Sequence, residues 1–166
     1  MSENKKDILF TYTDYTAPTT LALMKRLLAM FPEEEFTTHL LKLYGDRPHE
    51  LFQNYVKPLR DSLHLHFNFD CLGFNFCSFD GTPYFNTFWT PCVTYLTIPA
   101  AKLDRELRRE MNLNITLLCM TKSEEQYIRE HYPDYEDVRT VVNPLQSIQP
   151  LYSVLRAIAD RYPLKE

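Results

Sequence analysis

Two features of the sequence predict an α/β fold built on a mostly parallel sheet. Short apolar, β-branched runs alternate with segments whose apolar residues recur every three or four positions. That alternation favours strands joined by helical crossovers, which parallel pairing requires. Finally, 166 residues without an internal repeat or linker suit a single domain, 1–166. Right-handed crossovers then give a doubly wound, Rossmann-like or flavodoxin-like domain of five to six strands, with helices on both faces.

The elements follow in order. Residues 8–13, ILFTYT, form a first strand, and DYTAPTT is a turn rich in capping residues. LALMKRLLAMF keeps helical spacing until Pro32 stops it. FTTHLLKLY is a second strand, ended by Gly45 and Asp46. RPHELFQNYVKPLRD is a helix with Pro48 near its start, ended or kinked by Pro58. In LHLHFNFDCLGF, residues 63–74, odd positions are apolar and even positions polar as far as Asp70, so the third strand has one wetter face. CVTYLTI is a fourth strand closed by Pro99, and AAKLDRELRREM a surface helix. ITLLCMT is a fifth strand, and SEEQYIREHY a helix opened by a serine cap with acids in its first turn. VRTVV is a short sixth strand, and a last helix covers IQPLYSVLRAIADRY. Residues 70–92 form a long aromatic connection expected to hold a short helix; loops of that length are often functional.

Composition narrows the function. Hydrophobic residues make up 45% of the chain and aromatics 14%, which is globular. Net charge is −4, and no lysine or arginine run offers a track for nucleic acid or an anionic membrane. No apolar run is long enough for a membrane span, and no secretory signal opens the chain, so a cytoplasmic setting is expected. Cys71, Cys77, Cys92 and Cys119 form no CxxC pair, and reduced, mostly buried thiols fit that setting.

His64 and His66 share one strand face, a spacing that metal-dependent hydrolases use. A metal site needs a third and usually a fourth ligand, while His39, His49 and His131 sit in unrelated elements. Strand histidines that pack and hydrogen-bond locally are commoner, so no metal is expected. With only Gly45, Gly73 and Gly81, the chain can build neither a GxGxxG nor a GxxxxGK[ST] phosphate loop, and no cofactor is expected. GxSxG is missing too, and the acidic pair of a phospho-acceptor domain is absent after strand one. Hydroxyls in TYTDYTAPTT could meet an anion at the helix N-terminus, but helix capping is the simpler role.

Open α/β sheets bind ligands beyond the carboxyl ends of their strands. Those ends are Thr13–Asp14, Asn68–Asp70, Thr97–Pro99, Thr121–Lys122 and Asn143–Pro144, and the aromatic loop at 74–89 would overhang them.

The run from Leu63 to Pro144 resembles the N-terminal domain of bacterial GT-B type glycosyltransferases of the spore-maturation and motility-associated kind. The resemblance rests on Phe67-Asn68, Leu72-Gly73, Asp80-Gly81, the strand-closing Pro99, and Cys119, Tyr127, Ile128, Tyr132 and Pro133 within CMTKSEEQYIREHYP. DILFTYTDYTAPTTLALMKRL also fits the family's opening strand and helix in outline. The departures fall on polar positions. Thr97 and Ile98 replace an Asp-His pair, Thr121 and Glu124 replace an Asp and a His, and Lys122 replaces an Arg. The resemblance implies an acceptor-side glycosyltransferase-like domain linked to glycan or nucleotide-sugar metabolism. Its cleft would use Thr13, Asp14, Asn68, Asp70, Gly73, Thr97, Pro99, Thr121 and Glu124. A GT-B enzyme needs a second domain for the sugar nucleotide, so catalysis by this chain alone is not expected and no catalytic residue is assigned. The partners implied are a donor-binding glycosyltransferase chain or a glycan acceptor. The alternatives are a signalling or adaptor module and, third, a small metal-dependent hydrolase using His64 and His66.

Overall fold

The computed structural model describes residues 5–43, 50, 53–54, 57–59, 61–75, 90–109 and 114–161. Six strands pair in the order β2-β1-β3-β4-β5-β6, every pair parallel. They are β1 Lys6–Tyr12, β2 Phe36–Lys42, β3 Leu63–Phe69, β4 Cys92–Tyr95, β5 Ile115–Cys119 and β6 Asp137–Thr140. The helices are α1 Pro18–Leu28, a short α2 Asp104–Leu107, α3 Lys122–His131 and α4 Gln149–Arg161. This is the α/β domain with a parallel sheet that the alternating pattern predicts.

Chain direction explains the layering. From β1 the chain moves outward to β2; from β3 it moves the other way through β4, β5 and β6. Right-handed crossovers in opposite directions must lie on opposite faces. Accordingly α1 packs Leu23, Met24 and Leu27 on Ile8, Phe10, Leu65 and Phe67, where α4 joins it through Leu151, Leu155 and Ile158. Leu107 of α2 and Ile128 of α3 cover the other face over Cys92, Ile115, Leu117 and Val138.

Details depart from the sequence reading for physical reasons. β4 ends at Tyr95, not Ile98, because the Asp70 side chain captures the backbone N–H groups of Thr97 and Ile98. The surface helix expected from Ala100 begins as a 3₁₀ turn, Ala100–Leu103, before α2. Thr121, not Ser123, caps α3: its Oγ1 accepts the Glu124 N–H at 3.2 Å. Most of the helix expected at 47–61 lies outside the described residues; Lys57–Leu59, holding Pro58, is a 3₁₀ turn. The aromatic loop from Phe76 to Trp89, including Cys77 and Gly81, lies outside them as well. Phe74, at its start, is fully buried.

The largest departure concerns β3. Alternation along an exposed strand leaves its polar face wet. Here His64, His66 and Asn68 are as buried as Leu65 and Phe67. Among the described residues no helix is long and apolar enough to cross a membrane.

Candidate functional site

The strand order reverses between β1 and β3, so the connections leaving their carboxyl ends diverge and open a crevice. A cleft of about 330 Å³ occupies that place. Thr11 and Thr13 come from the end of β1, Thr16 and Thr20 from the turn and first residues of α1, and Thr97 from beyond β4. Met24, Phe69 and Leu72 supply apolar lining, and Tyr15, 98% exposed, stands at the mouth. Asp70 provides the cleft's carboxylate.

The β1–α1 turn is ordered by its own hydroxyls. Thr13 N–H donates to Thr16 Oγ1 at 3.0 Å, and Tyr15 N–H donates to Thr13 Oγ1 at 3.2 Å. The expected capping role is not what they do: the N-cap of α1 is Ala17, which makes no side-chain cap bond. Pro18 in the first turn fixes φ and has no N–H to satisfy.

Opposite this turn, β3 ends in a left-handed corner. Asp70 has φ 53° and Cys71 φ 57°, both unusual for residues with a Cβ, and Gly73 follows at φ 88°. Asp70 is held in this conformation by its carboxylate, which pairs with the segment after β4. Oδ1 accepts from Thr97 N at 2.6 Å and Ile98 N at 3.3 Å, and Oδ2 from Thr97 Oγ1 at 2.5 Å. The corner is therefore stitched to the end of β4, and Thr97 is carried to the cleft with it.

Of the residues assigned to a cleft by sequence, Thr13, Asp70 and Thr97 come together in it. Asp14 lies beside them on the exposed turn, ion-paired with Lys42 of β2. Pro99, Thr121 and Glu124 gather at the ends of β4 and β5, where Glu124 Oε1 accepts the Ala100 N–H at 2.5 Å and anchors the 3₁₀ turn to α3. Gly73 is buried within the corner. Asn68 does not reach the cleft; its side chain projects to the covered face of the sheet and is 0% exposed. Thr11, Thr16 and Thr20 line the cleft beyond the residues the strand ends point to, and the hydroxyl-dense TYTDYTAPTT is their signal in the sequence.

Beneath the cleft runs a line of buried hydrogen bonds. Thr11 Oγ1 meets His66 Nε2 at 2.9 Å, and His66 Nδ1 meets Cys92 Sγ at 3.4 Å. Asn68 Nδ2 donates to the same sulfur at 3.7 Å. Thr94 Oγ1 donates to Asn68 Oδ1 at 2.7 Å and accepts Cys71 N–H at 2.9 Å. Burial pushes the His66 imidazole down to about 3 and the Cys92 thiol up to about 12, so both are neutral near pH 7. His64 holds the Ser62 carbonyl through Nδ1 at 2.7 Å. The two strand histidines are thus engaged by protein groups, and among the described residues no three His, Cys, Asp or Glu side chains assemble as metal ligands.

Fold and cleft together define a doubly wound α/β domain with a hydroxyl-lined crevice at its switch point. No protein-family model matches the chain, and no curated protein or solved structure does.

Proposed function

We propose that the chain is a binding domain whose switch-point cleft takes a small, uncharged, hydroxyl-rich ligand of the sugar class, and that it does no chemistry by itself. The observation carrying this reading is the lining: among the described residues it has five threonines (11, 13, 16, 20 and 97), one carboxylate and no lysine or arginine. Hydroxyls both donate and accept, so they pair with either face of another hydroxyl, while Tyr15 and Phe69 offer rings to the C–H face of a pyranose. A phosphate would meet Asp70, and no cation among the described lining residues offsets it. Both Asp70 oxygens already accept bonds from Thr97 and Ile98, so the cleft's carboxylate is occupied rather than poised as a base. The reading agrees with an acceptor-side, glycosyltransferase-like domain, which would work with a donor-binding domain.

Saturation-transfer NMR against neutral mono- and disaccharides, nucleotide sugars and inorganic phosphate tests it. Saturable signals are expected from neutral sugars and from the sugar portion of nucleotide sugars, weakened in Thr13→Val and Thr20→Val. Binding of phosphate alone, with none by any sugar, would sink the proposal.

A second reading, a protein-contact module, draws on one observation. Ile98, Met120, Val142 and Leu145 are exposed large apolar residues following the carboxyl ends of β4, β5 and β6. A contact there would be lost on Ile98→Glu with Met120→Lys, with sugar binding in the cleft retained.

A further inference from the structure

The buried line of bonds beneath the cleft begins and ends at cleft walls. Thr11 lines one wall, and Cys71 directly follows Asp70 of the other. Between them the bonds can be given a direction. Cys71 N–H donates to Thr94 Oγ1, so the Thr94 hydroxyl proton is free to serve Asn68 Oδ1. That fixes the Asn68 amide, whose NH₂ then faces Cys92 Sγ. The sulfur, already accepting from Asn68, has one S–H, and His66 Nδ1 lies within reach of it. With Nδ1 accepting, Nε2 carries the proton and donates to Thr11 Oγ1. The opposite tautomer would have His66 and Asn68 both donating to one sulfur and leave the S–H without an acceptor among the described residues.

We propose that Thr94, Asn68, Cys92 and His66 form a directed relay, with His66 as the Nε2–H tautomer, that positions Thr11 and the Asp70 corner relative to each other across the cleft. These are positioning residues, acting through Thr11 and Cys71 and not by touching a ligand. The proposal rests on the cleft being the binding site for its purpose, but the geometry it asserts is independent of any ligand. Three strands contribute to the relay: one bond, Thr11–His66, joins β1 to β3, and three side-chain bonds join β3 to β4, so sliding of one wall past the other would break them. The left-handed Asp70–Cys71 corner gives the relay a task, because two consecutive non-glycine residues at positive φ persist only where neighbours over-determine them.

The test needs no ligand. ¹⁵N-histidine and methyl-labelled threonine spectra are recorded on the whole chain for wild type, Thr94→Val, which keeps shape but loses the hydroxyl, and Thr94→Ser, which restores it. Wild type should show the Nε2–H pattern for His66. Thr94→Val should speed exchange of the Cys71 amide about fivefold to tenfold, the loss of one ordinary hydrogen bond. It should also move the His66 nitrogens and the Thr11 methyl, several links away. Thr94→Ser should restore all three. If Thr94→Val does not fold, Cys92→Ala breaks the relay at its middle, and the His66 and Thr11 signals should move there instead. An Nδ1–H pattern in wild type, or a folded relay-breaking variant with unmoved His66 and Thr11 signals, overturns the proposal. A relay that behaves as stated while no sugar binds would condemn the functional reading alone.

Discussion

Acidification should destabilise this protein well above the pH at which its carboxylates titrate, and His66 should be the cause. In the folded chain burial holds its pKa at about 3, against 6.5 for the ordinary imidazole. The unfolded chain therefore binds a proton below pH 6.5 that the native state refuses. Stability rises with pH wherever the unfolded state holds more protons, so the contribution is intact above 6.5 and lost as pH falls from there towards 3. The slope approaches about 1.4 kcal/mol per pH unit. Between pH 7 and pH 5 the loss comes to about 2 kcal/mol, a large share of a stability that is about 5–15 kcal/mol for typical domains. Urea unfolding followed by circular dichroism at pH 7, 6 and 5, at constant salt, measures it. His66→Gln is the control. It should cost roughly 1–3 kcal/mol at pH 7 by leaving Thr11 and Cys92 poorly paired. The gap between wild type and variant should then shrink by about 2 kcal/mol on reaching pH 5. Subtraction removes the other histidines, whatever they do. If the gap stays constant over that interval, His66 is not titrating as its burial requires, and the dry polar face has been misread.

Other perturbations have separable signatures. Asp70→Ala should destabilise by about 2 kcal/mol, combining the lost bonds to Thr97 and Ile98 with a Cβ residue left in the left-handed region; Asp70→Gly should recover part of this in a thermal melt, because it removes only the second cost. Glu125 is held down to about 2, first by its bond from Lys122 and then by Thr140, whose N–H and Oγ1 it accepts at 3.0 and 2.6 Å. Its stabilisation is present above its ordinary pKa of 4.5 and lost as pH falls towards 2, so Glu125→Gln should cost about 1 kcal/mol at neutral pH and nothing extra at pH 2 in denaturant titrations. His64→Gln should cost about 1 kcal/mol or less, since only one bond, to Ser62, is at stake; a larger loss by scanning fluorimetry would mean that this ring does more than pack.

Much of this fold was legible because its signals are local. Apolar runs and helical periods mark all six strands, α1, α3 and α4, although α1 ends at Leu28 and β4 at Tyr95, short of Pro32 and Pro99, the residues expected to close them. What failed depended on partners distant in sequence. β4 could be expected to run to Ile98 because nothing nearby says that Asp70, 27 positions earlier, will take the Thr97 N–H. Ser123 and Thr121 are both favourable caps by type, and the extended backbone at Thr121, φ −134° and ψ 153°, makes it the cap. For the site, strand-end logic brought Thr13, Asp70 and Thr97 to the right place but carried Asn68 along with them. Parity within β3 already grouped Asn68 with His64 and His66. That Thr11, Cys92 and Thr94 would face the same side depends on the registers of β1 and β4 against β3, which include a shift between Asp7 and Ile8.

The two faces of β1, β3 and β4 show why stability and site geometry meet at this point. One face is apolar throughout: Ile8, Phe10, Leu65, Phe67, Val93 and Tyr95, with the Phe10 and Phe67 rings 4.8 Å apart. Such packing stabilises by area and tolerates small shifts, since one apolar neighbour replaces another at little cost. The opposite face of the same strands carries Thr11, His66, Asn68, Cys92 and Thr94, equally dry. Burying those groups costs a few kcal/mol each unless every one is paired, so this face is favourable in one register and costly in its neighbours. A more stable sheet could be made by filling both faces with valine and leucine. It would lose the directional restraint at the switch point, where the corner holding Asp70 has to be kept at positive φ and opposite the threonines of β1. Replacing the polar set together, with Thr11→Val, His66→Leu, Asn68→Leu, Cys92→Ala and Thr94→Val, should therefore leave a folded domain whose melting temperature is little changed. The amides of Cys71 and Thr97 should nonetheless exchange faster than in wild type. Unaltered exchange at both amides would mean that the apolar face alone sets the cleft, and that the hydrogen bonds beneath it are merely tolerated.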